Sequence, residues 1–356
     1  MIFTEYDKLQ EIIVGDSYLP GDLDNFLPQP CLKKFNLILE ETKQDLDALA
    51  KFFTDSNIKV LRPTVLRYDT PVTIGDLKIS VPMCPIVPRD QYFVMDNTFS
   101  QTYTSYSDRY LDVLCYKQIF NYFAEQNYQI HCQPAPQLRN ITAEESWFIS
   151  DKIYKDTYKE QLLWHTATMY KLGDSIIVNS AGPGTQLGYE WIKKIYASYK
   201  FIPNLPENIF KNYGHIDHGF FMLDDDTVVH CGLKWVPTIL QDKKLIDISQ
   251  YVSEVYIDNY VKDYVSTDGK YSELWLKKYL SNWRGYNQEV CFDLNVVVLD
   301  SKNVLFGRHI PELFRYLKTL GIECHVVNQR HQVYWEGGIH CFTLDTKRKG
   351  NKRQIV

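Results

Sequence analysis

One cysteine stands in surroundings that suit a nucleophile. The chain reads YWEGGIHCF over residues 334–342, with two glycines ahead of Cys341. Glycine has no side chain, so a substrate and the backbone can approach each other closely there. A neighbour that stabilises the thiolate would make Cys341 a nucleophile. A lone cysteine on a predicted strand is more often a small buried apolar residue, and the residues alone leave both interpretations open.

A histidine and a carboxylate two residues apart form a second candidate group. The chain reads GHIDHG over residues 214–219. Alternate residues of a strand share one face, so a strand here would make His215 and Asp217 project together. The histidine could move protons near neutral pH, and the carboxylate could bind a cationic substrate. The same motif also fits a hydrogen-bonded surface or core pair with no catalytic role. A metal site through His215, Asp217 and His218 is a third interpretation, although further ligands at recognisable spacing are missing.

Three more polar residues could join a site. Asp90 comes before a predicted strand, where it points into a cleft or only caps a turn. His165 lies in the run WHTAT over residues 164–168. Taken by itself, such a residue is more often a hydrogen-bonded structural histidine than a catalytic one. Lys234 could bind a carboxylate, and its simpler interpretation is an exposed lysine.

These residues must be held by an alternation of helices and short strands. Apolar residues at helical spacing predict a helix over residues 37–53, namely Leu39, Leu46, Leu49, Ala50 and Phe53. Short β-branched or aromatic runs predict strands at residues 12–15, 92–95, 176–179, 295–300, 323–328 and 339–345. The runs are brief and continuously apolar, so we expect strands covered on both faces.

One pattern recurs along the chain: an amphipathic helix, a turn-forming residue and a short strand. It spans residues 46–61, 116–132, 191–203 and 312–328, and the spacing leaves room for a fifth copy around residues 250–265. Units of this length predict a closed, propeller-like α/β array around one axis, although the same alternation occurs in α/β proteins without a repeat. No linker rich in Pro, Gly or Ser interrupts the chain, so we expect one domain over residues 1–356.

The composition excludes several functional classes. The 356 residues carry 39 basic and 44 acidic side chains, a net charge of -5, and 45% are apolar. These values are typical of a globular chain and argue against disorder and against a general nucleic-acid binder, which needs a basic face. No apolar run has the roughly 18 residues of a membrane helix. Eight scattered cysteines without a CxxC, and no signal-peptide pattern, favour a reducing cytoplasm.

Taken together, the motifs resemble the glycine amidinotransferase family of the guanidine-modifying pentein superfamily. The likeness runs nearly end to end, through EYDKL and IIVG near the N-terminus, PRD at 88–90, YSDRY at 106–110, LGYEW at 187–191 and HID at 215–217. It is closest in the last hundred residues, which include LGI at 320–322, GGIHC at 337–341 and RKG at 348–350. The fold that the resemblance implies is α/β, a five-fold pseudosymmetric propeller (pentein) built from ββαβ units.

The resemblance also implies a covalent mechanism. The Cys341 thiolate would attack the guanidinium carbon of an arginine-like donor, Asp90 and Asp217 would bind the guanidinium nitrogens, and His215 would move protons. Lys234 stands where the family has an arginine that binds the donor's carboxylate. An amine would then accept the amidino group. This chemistry implies no cofactor and no metal.

Four positions depart from the family pattern. His165 replaces the carboxylate that partners the catalytic histidine, which removes a negative charge beside His215 if the two histidines are neighbours. Gln288 and Glu289 stand where the glycine-forming enzyme has two serines that contact substrate, and Glu336 replaces the first glycine of a triple. These changes leave the amine acceptor unassigned.

Three functions therefore stay open. The first is transfer of an amidino group from an arginine-like donor to an unassigned amine, and a specialised biosynthetic pathway is one role it would fit. The second is hydrolysis of a guanidine group, with water in place of the amine. The third is a binding protein that kept the propeller and lost catalysis through the change at His165. Family members are often homodimers, and a homodimer is the expected assembly.

Overall fold

The fold is built around small sheets that share one plan. The computed structural model describes residues 1–27, 29–79, 81–104, 106–138, 158–179, 184–203, 215–252, 292–335 and 337–356. Within these residues there are five three-stranded sheets, and a separate hairpin of β3 (Val72–Ile74) and β4 (Leu77–Ile79). In every three-stranded sheet an antiparallel pair is extended by a third, parallel strand. The predicted pentein fold of ββαβ units is confirmed.

The strands of each sheet follow one another along the chain, with one exception. Four sheets contain, in order, β5 (Tyr92–Met95), β6 (Thr98–Gln101) and β7 (Gln129–Cys132); β8 (Met169–Leu172), β9 (Ser175–Val178) and β10 (Lys200–Pro203); β11 (Phe220–Met222), β12 (Thr227–His230) and β13 (Lys244–Asp247); β14 (Val297–Asp300), β15 (Asn303–Phe306) and β16 (Glu323–Val326). The exception joins β1 (Lys8–Val14) and β2 (Lys59–Leu61) to β17 (Thr343–Lys349), the last strand. This pairing closes the ring.

Helices cover the outer side of the sheets. They are α1 (Gln29–Asp55), α2 (Asp112–Cys115), α3 (Lys117–Glu125), α4 (Gln186–Ile195), α5 (Pro311–Thr319) and α6 (Gln332–Trp335). Four of them, α1, α3, α4 and α5, lead into a parallel strand, as the repeated pattern predicts. Of the α1 residues predicted to face the core, Leu39, Leu46, Leu49 and Phe53 are fully buried, and Ala50 is partly buried. Across the described residues, no helix combines the length and apolar character needed to cross a membrane.

The fifth unit lies earlier in the chain than predicted. The window expected for it, residues 250–265, falls almost entirely outside the described residues. The sheet of β11, β12 and β13 is already complete at Asp247. Between β12 and β13 two 3-10 turns, Leu233–Trp235 and Thr238–Leu240, replace the α-helix of the other units. Because these turns are not α-helical, the residues between the two strands do not repeat apolar positions at helical spacing, and the sequence pattern missed this copy.

Each sheet begins with a tight turn that faces the centre of the ring. Four of these are the 3-10 turns Pro88–Asp90, Thr166–Thr168, Ile216–His218 and Phe292–Leu294, and the fifth is the turn over residues 339–342. Consecutive 3-10 turns of this series contact one another, and Pro88–Asp90 also contacts β17. The predicted strand positions of Cys341, His215 and Asp217 are therefore wrong. These residues lie in or beside the central turns, and the strands that follow them begin only at Phe220 (β11) and Thr343 (β17).

Candidate active site

The thiol of Cys341 is buried and held by an amide. Asn295 Oδ1 accepts hydrogen bonds from the backbone N–H groups of His340 (2.9 Å) and Cys341 (3.1 Å). Its Nδ2 donates to Cys341 Sγ at 3.2 Å. Gly338 permits this approach, because a Cβ there would lie 2.4 Å from Asn295 Oδ1. The hydrogen bond that Asn295 donates to the sulfur therefore fixes the position of the atom that a cysteine nucleophile uses.

Asp217 lies beside the thiol. One of its carboxylate oxygens is hydrogen-bonded, and the other, called the open oxygen below, accepts no hydrogen bond from the described residues. Its Oδ2 is 2.6 Å from His340 Nδ1, accepts from Asn295 Nδ2 at 2.9 Å, and lies 3.8 Å from Cys341 Sγ. Oδ1 accepts no hydrogen bond from any residue that the structure describes. Burial raises the pKa of the Asp217 carboxyl, but the hydrogen bond from His340 and the nearby histidine charges outweigh burial and hold that pKa well below its usual value. Asp217 is therefore ionised at neutral pH.

Asp90 repeats this arrangement in a second turn. Its Oδ2 accepts a hydrogen bond from Arg109, which also donates from Nε to Asp112 at 3.0 Å. Its Oδ1 accepts no hydrogen bond among the described residues and lies 3.9 Å from His215 Nε2. Burial raises the pKa of the Asp90 carboxyl, yet His215 and Arg109 together hold it below its usual value. The site thus contains two buried carboxylates, each with one open oxygen.

His215 lies between the two carboxylates. One of its ring nitrogens is within 4.8 Å of donor atoms of Asp217 and Cys341, and one is equally close to Asp90. The ring of His165 is 5.7 Å from that of His215, so the two histidines are neighbours. The Tyr106 ring, 42% exposed, meets His165 edge-on at 5.5 Å. His215 is placed to exchange protons with a group bound between the carboxylates.

A buried ionic network supports the site from behind. His340 Nε2 lies 2.9 Å from Glu5 Oε2, and Glu5 in turn pairs with Lys171 (3.0 Å) and Arg89 (3.2 Å). Arg89 Nε also donates to the backbone carbonyl of His340, which fixes the turn before β17. Burial raises the pKa of the Glu5 carboxyl, but Lys171 and Arg89 outweigh burial and lower it. The network holds the His340 ring between two carboxylates.

Not every residue predicted from the sequence joins this cluster. Cys341, His215, His165, Asp90 and Asp217 come together. Lys234 is exposed in the turn Leu233–Trp235, with its ammonium 5.2 Å from the Trp235 ring, and the structure does not place it in the cluster. The predicted substrate residues Gln288, Glu289 and Glu336 lie outside the described residues.

Sequence reasoning missed several residues that the structure places at the site. They are Asn295, His340, Glu5 and Arg109. His218, which the sequence named only as a possible metal ligand, lies beside Asp217. Asn295 gave one signal: it is the one polar residue in an otherwise apolar run, over residues 294–299. Arg109 in YSDRY, Glu5 in EYDKL and His340 in GGIHC lie in motifs that carried the resemblance, but no role was assigned to them.

The donor atoms also allow metal binding. Among the described residues, donors of His215, Asp217, His218 and Cys341 lie within 4.8 Å of one another, and so do those of Asp90, His165 and His215. The first set is the metal site that the sequence left incomplete, with Cys341 as the added ligand.

Comparison with known proteins finds distant relatives that match the whole chain. No family model matches the chain. It is 20% identical to inosamine-phosphate amidinotransferase 1 of Streptomyces griseus, over 98% of this chain and 96% of that protein. It is equally 20% identical to L-arginine:L-lysine amidinotransferase of Pseudomonas savastanoi pv. phaseolicola, over 98% and 94%. The chain is thus similar over nearly its whole length to amidinotransferases, at an identity of about one residue in five.

Solved structures show the same likeness at the level of the fold. The inosamine-phosphate amidinotransferase of Streptomyces griseus superimposes with a TM-score of 0.71 at 18% identity, covering 99% of this chain and 97% of that one. An amidinotransferase of Microseira wollei in the saxitoxin biosynthetic pathway gives 0.70 at 17% identity, covering 100% and 99%. The chain therefore shares the complete fold of these two amidinotransferases at low sequence identity.

Proposed function

We propose that the protein transfers an amidino group from an arginine-like guanidine donor to an amine, through a covalent intermediate on Cys341. The observation that carries the proposal is the pair of open oxygens, Asp90 Oδ1 and Asp217 Oδ1, on either side of His215. A guanidinium presents several N–H donors in one plane and a positive charge. Two buried carboxylates, each with one oxygen to spare, suit such a group.

The first half of the reaction forms the carbon–sulfur bond. The Cys341 thiolate attacks the central carbon of the guanidinium, while Asp90 and Asp217 hold its terminal nitrogens. The bond from that carbon to the substituted nitrogen then breaks, and His215 gives that nitrogen a proton so that it leaves as an amine. The amidino group remains on the sulfur with its positive charge beside the two carboxylates.

The second half reverses the roles. An incoming primary amine attacks the amidino carbon, and His215 removes a proton from it. The carbon–sulfur bond breaks, the thiolate returns, and Asn295 Nδ2 again donates to it. The product is a new guanidine, and the enzyme is unchanged after one cycle.

Burial favours transfer over hydrolysis. Cys341 is fully buried, and Asp90, Asp217 and His165 are nearly so. A buried amidino-thiol is shielded from bulk water, so an amine that binds in place can compete with water for it. Hydrolysis remains the alternative outcome of the test below.

Several finer expectations belong to the same proposal. A free Cys341 thiol fits a reducing, cytoplasmic setting. One domain, a homodimer and a role in biosynthesis are proposed from the resemblance alone. So are substrate contacts by Lys234, Gln288, Glu289 and Glu336, and a reaction that needs no cofactor and no metal.

Intact-protein mass spectrometry after brief incubation with arginine tests the donor half-reaction. We expect a mass increase of one amidino group on the wild type, with release of ornithine. Cys341→Ser should give neither, whereas Cys132→Ser, which changes an exposed cysteine away from the site, should behave as the wild type. A panel of amines should then discharge the adduct.

The outcomes separate the functions. An adduct that clears at the same rate without an amine would make the protein a hydrolase. No adduct and no ornithine, from arginine or from a panel of other guanidines, would overturn the catalytic proposal.

A further inference from the structure

One buried histidine in the active site has no part in the transfer mechanism. His218 is 2% exposed, and its Nε2 lies 3.7 Å from Asp217 Oδ1, the open oxygen. Its ring is 6.0 Å from that of His215. Neither proton transfer nor guanidinium binding, as derived above, requires an imidazole on this side of Asp217. His218 therefore needs an explanation of its own.

With His218 included, the site contains a complete set of zinc ligands. One donor atom from each of His215, Asp217, His218 and Cys341 lies within 4.8 Å of the other three. Tetrahedral zinc with bonds of about 2.0–2.3 Å needs ligand atoms about 3.5 Å apart, so side-chain shifts of about 1 Å would close the site. A thiolate, two imidazoles and a carboxylate form a borderline-soft set that suits zinc better than magnesium or calcium. The two anionic ligands balance the two positive charges of the ion.

The surroundings orient two of these ligands. His340 and Asn295 hold Asp217 Oδ2, which leaves Oδ1 turned toward His218. Asn295 also donates to Cys341 Sγ. Ligands held by outer hydrogen bonds in this way bind a metal more tightly, because less freedom is lost on binding.

The other donor cluster is a poorer metal site. Asp90, His165 and His215 contain no sulfur, and Asp90 is already paired with Arg109. The guanidinium of Arg109 disfavours a second cation at that carboxylate. His215 belongs to both clusters, and a metal ion bound to it should therefore bind more tightly in the cluster that contains Cys341.

We propose that His215, Asp217, His218 and Cys341 bind zinc, and that zinc excludes the guanidine donor. The ion would use the Cys341 sulfur and Asp217 Oδ1, which are the nucleophile and one of the two open oxygens of the proposed reaction. Zinc is thus an inhibitor that masks the thiolate. When the thiol is protonated, binding forms the zinc–sulfur bond and releases one proton to solvent.

Cobalt(II) and zinc alone are the probes, so the test does not depend on the proposed reaction. The wild type should bind one Co²⁺ with a thiolate-to-cobalt charge-transfer band and the visible absorption of a tetrahedral site, and Zn²⁺ should displace it. Cys341→Ser should lose the charge-transfer band. His218→Asn should bind Zn²⁺ at least about tenfold more weakly in a competition titration. His325→Asn, a histidine on β16 outside the site, and Cys132→Ser should match the wild type.

Three results would overturn the zinc site. One is Zn²⁺ affinity unchanged in both His218→Asn and a second variant, His218→Gln, each checked for folding by circular dichroism. Another is a cobalt spectrum without a thiolate band. The last is a loss of affinity in His165→Asn with none in Cys341→Ser, which would move the metal to the Asp90 cluster. A protein that binds zinc as expected but forms no adduct with arginine would fail only the proposed function.

Discussion

His340 Nδ1 lies 2.6 Å from Asp217 Oδ2, while His340 Nε2 lies 2.9 Å from Glu5 Oε2. Each ring nitrogen of His340 thus lies within hydrogen-bond distance of a carboxylate oxygen. The residue next to the nucleophile therefore holds one oxygen of Asp217 and fixes the direction of the other. His340 is a positioning residue, because it acts on substrate only through Asp217.

Replacement of His340 should affect donor binding more than the later steps. We expect His340→Asn to lower kcat/KM for the guanidine donor by about 10- to 100-fold, since a charge-assisted hydrogen bond contributes about 1.5–3 kcal/mol. Most of the loss should lie in KM. Steady-state kinetics check this, with His325→Asn as the control, and a loss confined to thermal stability would contradict a positioning role.

Asn295 should set the reactivity of the Cys341 thiol. Asn295→Ala removes the N–H that donates to Sγ and the Oδ1 that holds the turn, and we expect iodoacetamide to alkylate Cys341 about tenfold more slowly, because the sulfur loses the hydrogen bonds that orient it. Peptide mass spectrometry reports the modification of each cysteine separately. Asn303→Ala, an asparagine on β15 that bonds Asp300, should leave the rate unchanged. Equal rates in all three proteins would mean that the amide only shapes the turn.

Gly338 should tolerate no side chain. In Gly338→Ala the new Cβ would meet Asn295 Oδ1 at 2.4 Å, and the overpacking should cost about 1–3 kcal/mol in urea unfolding and abolish adduct formation with arginine. Gly75→Ala is the matched control. Gly75 has a φ of +57° and no atom near the new Cβ, so its substitution costs about 1–2 kcal/mol of backbone strain and should leave the adduct intact.

The central ionic network should make the fold sensitive to acid. Burial raises the pKa of the Asp345 carboxyl, but Lys171 and Arg348 outweigh it and hold the pKa well below its usual value, while that of Glu5 is lowered to about 2. The unfolded chain therefore binds more protons below about pH 5, so stability is present at neutral pH and is lost as the pH falls. Urea midpoints between pH 7 and pH 3.5 should show this fall.

Asp345→Asn tests the same network directly. It leaves Lys171 and Arg348 short of a buried partner, and we expect a loss of about 3–5 kcal/mol at pH 7 that shrinks toward pH 3.5. Asp226→Asn breaks an ion pair whose carboxylate is 85% exposed, and it should cost less than about 1 kcal/mol at any pH. Parallel losses for Asp345→Asn at both pH values would contradict the acid effect.

His165→Asp should restore a carboxylate beside His215. The rings of His165 and His215 are 5.7 Å apart, so a new negative charge would favour the protonated form of His215 that donates to the leaving amine. We expect turnover of arginine to increase, and His165→Asn, which adds no charge, not to show the increase. A decrease in His165→Asp alone would mean that charge repulsion with Asp90 dominates.

The predictable parts of the structure are those that depend on residues close together in the sequence. The core face of α1, through Leu39, Leu46 and Phe53, follows from helical spacing alone. The four helix-to-strand passages follow in the same way. Cys341 was placed on a strand because apolar residues surround it, whereas Asn295 and Gly338 form a turn there that no local pattern marks.

Contacts over long distances in the chain were not predictable from its patterns. His340 and Glu5 are 335 positions apart, and His340 and Asp217 are 123 apart. The resemblance named Cys341, His215, Asp217 and Asp90, which the fold brings together. Glu5 and His340 also lie in its motifs, EYDKL and GGIHC, but it assigned them no role, since a motif does not show which distant residue a side chain contacts.

The pairing of β1 with β17, in which Val14 lies opposite Thr343, sets an order of events during synthesis. One edge of the first strand stays unpaired until β17 has been synthesised. Such distant pairing is slow, because the loop must close before its contacts form. Glu5, which precedes β1, and His340, which precedes β17, are brought together by the same pairing. The support behind Asp217 and the closure of the ring are therefore formed in one step of folding.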